Sequence, residues 1–269
     1  MPTLNEIKAK QQVTWSSGDY GKIAWITQPL SEVLLDAVDP APGSEVLDAA
    51  TGTGHVALAA ARRFCRSTGI DYVPALLEVA RARAAAEGLD VTFIEGDVEE
   101  IPFSAGRFDY VLSSIGAMFA PDQARTASEL LRVTAPGGTL GMINWRPEGF
   151  IGELFRTIGA HVPPPEGLKP AALWGKEDRV RELLGEAVSS LIVKEGSIRM
   201  RFFSPEHFAD FFLTNYGPTL KASEALEGER RSAFRRAVVE LAARHNQGDT
   251  GGASLDWTYL VAVAEKAQR

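Results

Sequence analysis

Val46-Leu47-Asp48-Ala49-Ala50-Thr51-Gly52-Thr53-Gly54, residues 46 to 54, is the stretch that decides the fold. An apolar run ends at Asp48, a glycine-bearing turn follows, and a helical pattern starts at His55. That is a strand, a tight loop and a helix N-terminus in succession. Such a loop lets a ligand approach bare backbone, with free N–H groups and the helix dipole facing it. In doubly wound α/β folds this first turn is where a nucleotide-like cofactor sits.

Outward from this stretch the chain alternates. Strands are predicted near 45–49, 67–71, 91–96, 108–113 and 138–145, and helices near 55–66, 74–87 and 121–134. Alternation of this kind predicts a parallel sheet with helices on both faces. Before it, Ile7, Trp15, Ile23, Ala24, Ile26, Leu30 and Leu34 recur at helical spacings, broken by Ser16-Ser17-Gly18-Asp19-Tyr20-Gly21. After it, Leu191, Val193, Ile198, Met200 and Phe202 mark a sixth strand over 188–203. Two amphipathic helices near 205–215 and 222–245, a loop over 245–252 and a final strand from Trp257 to Ala264 complete the chain.

The loop chemistry speaks to the cofactor. A dinucleotide loop needs a third glycine for its pyrophosphate, and none stands at 55 or 57. A nicotinamide-dependent oxidoreductase is disfavoured on that ground. A carboxylate ending the first strand would repel a pyrophosphate but suits a cationic amino-acid end. Asp48, Ala50, Gly52 and Gly54 are spaced in a way that resembles the first motif of class I S-adenosylmethionine (SAM)-dependent methyltransferases, Asp/Glu-x-Gly-x-Gly-x-Gly. Ala50 replaces the first glycine and narrows the loop. Asp71 follows Asp48 by twenty-three residues, at the end of the second strand, where an acidic residue can accept both ribose hydroxyls. It can equally cap the helix beginning near Pro74.

The resemblance continues with Glu95-Gly96-Asp97-Val98, with Phe108 to Ser114, and with Glu129 to Val133 followed by Ala135-Pro136-Gly137-Gly138. The chain looks like a bacterial branch related to the ubiquinone/menaquinone-biosynthesis C-methyltransferases. This likeness implies a Rossmann-like seven-stranded doubly wound sheet with the last strand antiparallel. It divides the chain into an N-terminal helical lid (1–40), a SAM-binding core (41–146), a cap insertion after strand 5 (147–187) and the rest of the core sheet with two helices (188–269). It implies a cofactor set of Tyr20, Asp48, Ala50, Thr51, Gly52, Thr53, Gly54, Asp71, Tyr72, Asp97, Val98, Ser113 and Ser114. Asp97 would receive the adenine amino group and the Val98 N–H a ring nitrogen. On residues alone, Asp97 is also an ordinary turn residue after a strand.

Methyl transfer from a sulfonium asks mainly for positioning and exclusion of water. An apolar, aromatic wall is therefore expected, from Trp15, Met118, Phe119, Trp145, Phe150 and Trp174, and each of these could instead simply pack the core. His161, His207 and Tyr20 are the candidates for catalytic acid–base work, although a carbon or nitrogen nucleophile needs no strong base. Pro163-Pro164-Pro165 could be merely a stiff connector, but its place after the fifth strand favours a pocket wall. Ser113, Ser114, Asn144 and Trp145 stand where a metal-dependent enzyme would place carboxylates, so no metal is expected. A SAM-binding protein that does not methylate is the alternative.

The chain has 269 residues, 45% of them hydrophobic and 23% charged, ordinary for a globular protein. Its lone cysteine, Cys65, reads as a small buried residue in the first core helix and fits a reducing compartment. No signal pattern and no apolar run of membrane-spanning length is visible, so a cytoplasmic protein without a membrane span is expected. A net charge of −7 argues against nucleic acid. Arg230, Arg231, Arg235 and Arg236 read as a solvated helix face diluted by Glu227 and Glu229. A small-molecule acceptor is expected; a quinone, polyketide, amine or fatty acyl compound would each suit, and no oligomeric state is indicated.

Overall fold

The computed structural model describes residues 3–248 and 252–268. Asp249, Thr250 and Gly251 of the predicted loop lie outside the described residues. Three helices lead in: α1 (Leu4–Trp15), α2 (Tyr20–Thr27) and α3 (Pro29–Val38). Thr3 and Glu6 form a reciprocal capping box that starts α1.

The core follows as β1 (Glu45–Ala49), α4 (His55–Arg62), β2 (Arg66–Asp71), α5 (Pro74–Glu87), β3 (Val91–Glu95), β4 (Phe108–Ser114), α6 (Gln123–Val133) and β5 (Thr134–Trp145). Beyond it come α7 (Phe150–His161), α8 (Glu177–Leu184), β6 (Val188–Phe202), α9 (Pro205–Asn215), α10 (Gly217–Glu224), α11 (Gly228–His245) and β7 (Ala253–Lys266). The seven strands make one sheet in the order β3-β2-β1-β4-β5-β7-β6. β7 runs antiparallel to both its neighbours, and the other pairings among β1 to β5 are parallel. This is the Rossmann-like architecture expected. Val46, Leu47 and Ala49 are fully buried because helices cover both faces of the sheet.

The chain leaves β1 toward β2 on one side and returns as β4 on the other. The order therefore reverses at the carboxyl end of β1, and a crevice opens there. Among the described residues no helix is long and apolar enough to cross a membrane.

Several boundaries differ from expectation, each for a local reason. α4 stops at Arg62, because Phe64 takes a left-handed turn (φ 62) and Cys65 N–H returns to Ala60 O. Cys65 is buried, but in the connector rather than in the helix. β5 begins at Thr134 and absorbs Ala135-Pro136-Gly137-Gly138 through a register shift against β4. The single helix expected over 222–245 is two, with α10 beginning at Gly217. The break over 225–227 is closed by Arg231, whose Nε donates to the carbonyls of Ser223 and Leu226. β7 starts at Ala253, earlier than the Trp257 expected, because it pairs with the full length of β6.

Candidate functional site

The loop after β1 is held open by its backbone. Ala50, Gly52 and Gly54 all have positive φ (58, 54 and 86). Glycine takes that conformation freely, whereas alanine takes it at a cost. Asp48 Oδ2 accepts from Thr51 Oγ1 (2.5 Å) and from Ala57 N–H (3.0 Å), so it caps α4, whose own N-cap is a glycine. Asp71 binds the loop from β2: its Oδ2 accepts from Gly52 N–H (2.8 Å) and its Oδ1 from Val73 N–H (2.9 Å). Asp71 therefore steadies the loop and the turn before α5 but does not cap that helix, as the sequence allowed, because its N-cap is Val73, two residues later.

These two carboxylates are 1% and 5% exposed, and among the described residues neither has a cationic partner. Burial pushes Asp48 up to about 7, against the lowering hydrogen bonds from Thr51 and Ala57. Burial likewise pushes Asp71 up to about 6. Buried acidic groups without a counter-charge are costly, and a cationic ligand beside them removes the cost.

Three neighbouring cavities lie here, the first two of them over this loop. The first, about 640 Å³ including its mouth, runs along Asp71, Tyr72, Leu76, Asp97 and Val98 and is roofed by Lys8, Gln11 and Trp15 of α1. The second, about 460 Å³, is bounded by Asp48, the loop over 50–53, Ser114, and Ala24, Thr27 and Ser31 from the leading helices. The third, about 390 Å³, is enclosed by Phe119, Trp145, Leu154, Phe212, Tyr216 and Trp257, among other apolar side chains. Tyr20 borders all three. Among the described residues no Asp, Glu, Lys, Arg or His lines the third cavity.

Most of the expected site residues meet here. Tyr20, Ala50, Gly52, Asp71, Tyr72, Asp97 and Val98 line the first cavity, with Trp15 and Phe119, while Asp48, Thr51, Thr53 and Ser114 line the second. Gly54 lies beneath the loop, where a Cβ would come within 3.0 Å of Ala80 and Phe93. Ser113 locks β4 to the loop, donating to Ala49 O and accepting from Ala117 N–H. Of the expected wall, Trp15, Phe119 and Trp145 line cavities; Met118, Phe150 and Trp174 are buried in the core and line none. Phe150 stacks on Trp257 instead.

The two histidines expected to do acid–base work, His161 and His207, line none of the three cavities. His161 ends α7 against Phe234, and His207 packs among Phe202, Phe203 and Phe211. His55 does border the second cavity, but burial and the adjacent guanidinium of Arg83 push it down to about 3, so it stays neutral. Pro163 and Pro164 are exposed and line none of the three cavities, so the proline run is a connector.

Residues not singled out from the sequence close the site. Lys8 Nζ pairs with Asp97 (2.5 Å) and with Glu99 (2.6 Å). Gln12 Nε2 donates to Tyr72 O and Gln11 Nε2 to Phe119 O (3.1 Å). Lys8, Gln11 and Gln12 share a helical face with the expected Trp15, the signal that could have marked them. Tyr216, four residues after Phe212 at the end of α9, has no comparable mark.

The family model described as a methyltransferase domain matches residues 46–138. Along nearly its whole length the chain is similar to the uncharacterized protein Rv1405c of Mycobacterium tuberculosis, 38% identical over 265 residues, covering 97% of this chain and 95% of that one. A demethylmenaquinone methyltransferase of Thermus thermophilus is 38% identical over 132 residues, 48% of this chain and 60% of that one. Among solved structures, phosphoethanolamine N-methyltransferase 2 of Haemonchus contortus, in complex with phosphomonomethylethanolamine and S-adenosylhomocysteine, superposes with a TM-score of 0.61 at 17% identity, covering 100% of this chain and 61% of that one.

Proposed function

Because the chain belongs to the class I SAM-dependent methyltransferases, and is an enzyme with S-adenosylmethionine as its cofactor, we propose that it methylates a small, uncharged, largely apolar acceptor held in the third cavity. The observation that carries this reading is the pair of buried carboxylates, Asp48 and Asp71, which line neighbouring cavities and have no cationic partner among the described residues. S-adenosylmethionine supplies an electrophilic methyl on a sulfonium, beside an ammonium and a ribose.

The residues fit that ligand. Each oxygen of Asp71 accepts a single N–H, which leaves lone pairs for the two ribose hydroxyls. Gly52 leaves room between the loop and Tyr20, since a Cβ there would already touch the Tyr20 ring at 3.5 Å. Tyr72, Asp97 and Val98 hold the adenine end, and Asp48 with Thr51, Thr53 and Ser114 the methionine end.

Transfer then rests on position. Tyr20 joins the three cavities, and burial together with Asp71 pushes its hydroxyl up to about 12. It stays protonated, serving as a hydrogen-bond donor and wall rather than as a base. Burial, with Tyr20 nearby, raises Tyr216 as well. A cyclic acceptor with an oxygen substituent, as in a quinol, matches these walls. The partial likeness to the demethylmenaquinone enzyme supports the same class.

Nucleic acid does not suit the surface. The net charge is −7, and three of the four arginines singled out on α11 are engaged locally: Arg235 with Asp210, Arg236 with Glu229, and Arg231 with backbone carbonyls.

The test has two parts. Isothermal titration should show SAM binding that Gly52→Val abolishes. Incubation with SAM and an uncharged naphthoquinol should release S-adenosylhomocysteine, whereas phosphoethanolamine should not. Turnover of the charged amine alone would defeat the proposal.

A further inference from the structure

Among the described residues Tyr20, Thr27 and Ile115 line both the second and the third cavity, and so stand at the boundary, or neck, that any group passed from one to the other must cross. They are not equivalent. Tyr20 and Thr27 begin and end α2, a short helix of the leading layer. Ile115 follows β4 directly and belongs to the sheet. Its backbone is left-handed, with φ 67, a conformation that a β-branched residue seldom takes.

Both sides of that backbone are held. Ile115 N–H donates to Ile143 O of β5 at 2.8 Å. Gly116 is pressed onto the loop, where a Cβ would fall against Ala50 O and within 2.7 Å of Ala50 Cβ. Residues 115–116 can therefore retreat neither toward β5 nor toward the loop. The Ile115 side chain, 8% exposed, is a fixed wall in the neck. Strain of this kind persists where the surroundings over-determine it, and it gathers at functional sites.

We propose that Ile115 is the specificity-determining residue that limits the group passed through this neck to a methyl. The inference rests on the functional reading above, because it takes the second cavity as the site of the donor's methionine end. The transfer itself balances: the carbon–sulfur bond breaks with its electron pair left on sulfur, the acceptor's nucleophile gains the carbon, and the acceptor's proton leaves to water. A longer group on sulfur meets the isoleucine side chain, and the wedged backbone cannot yield to it. Shortening that side chain opens the neck from the sheet side without touching α2.

Titration calorimetry with SAM and its S-allyl analogue, on wild type, Ile115→Ala and Ile115→Gly, decides the matter. Wild type should bind the allyl analogue about tenfold or more weaker than SAM, and both variants should reduce that ratio to about threefold or less. The glycine variant also removes the left-handed penalty, so it should melt above the alanine variant and gives a reading even if the latter folds poorly. Equal binding of the two donors by wild type, or an unchanged ratio in both variants, overturns the inference alone. Failure of wild type to bind SAM overturns the functional reading and this inference with it.

Discussion

Lys8 Nζ lies 2.5 Å from Asp97 Oδ2, joining the first helix of the chain to the carboxyl end of its third strand. Glu99, almost fully buried, takes the same ammonium at 2.6 Å. Burial works against the charge on Lys8, yet the hydrogen bonds it donates to both carboxylates hold its pKa above the ordinary lysine value. With Gln11 and Gln12 this pair fastens α1 over the first cavity. Lys8→Met should loosen that roof. A partly buried pair is worth about 1 kcal/mol, so SAM affinity should fall about fivefold, through faster dissociation. Stopped-flow measurement of the off-rate checks this, and raised salt should narrow the gap between wild type and variant.

Protonation of Asp48 and Asp71 should set the pH dependence of cofactor binding. The ionised forms favour a cationic ligand, so SAM affinity should rise with pH through 6 to 7 and binding should release protons there. With Asp48 at about 7, affinity at pH 6 should be about a tenth of its plateau. Calorimetry in buffers of different ionisation enthalpy reads the proton release directly.

In the free chain the sign is opposite. Asp48 titrates at about 7 when folded, against an ordinary 3.8, so the folded state holds the extra proton between those values. Its contribution to stability is greatest below the lower value and is lost as pH rises to about 7. His55, depressed to about 3, runs the other way: the unfolded chain gains its proton first as pH falls below about 6.5. Comparing wild type with Asp48→Asn cancels the histidine. The melting-temperature advantage of the variant should grow from pH 5 to pH 7.5.

The sequence carried the sheet and most of the residues that line the first two cavities, because both are written in local patterns. Acidic strand ends after apolar runs place Asp48, Asp71 and Asp97 with no knowledge of packing. The leading helices were legible as helices, but not as the source of Lys8, Gln11 and Thr27 in the cavities. Those residues meet the core only through tertiary docking, although Tyr20, Ile23, Ala24 and Thr27 share a helical face. Phe150 and Trp174 went the other way: large aromatic side chains after β5 suit a cavity wall and a core equally well, and here packing against Trp257 and β5 claimed them. Tyr216 and Trp257 reach the third cavity from about seventy and more than one hundred residues after β5, a juxtaposition that only the antiparallel return of β7 and the docking of α9 create.

Ala50→Gly should stabilise the enzyme. The alanine sits at φ 58, where its Cβ costs about 1–2 kcal/mol, partly offset by the freedom glycine adds to the unfolded chain. A net gain of about 0.5 kcal/mol should raise the melting temperature by about 1–2 °C. Gly116→Ala should be strongly destabilising, and Ala50→Gly should recover part of that loss, since the Ala50 methyl is one of the two groups the new Cβ meets. Thermal melts of the two single variants and the double variant measure that coupling.

Tyr20 and Tyr216 should separate donor binding from acceptor binding. Tyr20 borders all three cavities and touches the loop, whereas Tyr216 borders only the third of them. Trp15 packs edge-on against both rings, each at 5.8 Å between centroids, so the pair is set by one indole. Tyr20→Ala should therefore weaken both SAM and the acceptor, while Tyr216→Phe should leave SAM affinity intact and raise KM for the acceptor. Losing one hydroxyl hydrogen bond of about 1 kcal/mol predicts a rise of about fivefold. Because the Tyr20 hydroxyl is held protonated to about pH 12, Tyr20→Phe should leave the shape of the pH–rate profile unchanged between pH 7 and 9.5. A basic limb that disappears in Tyr20→Phe would show that this hydroxyl ionises during turnover, and would reassign it from wall to base.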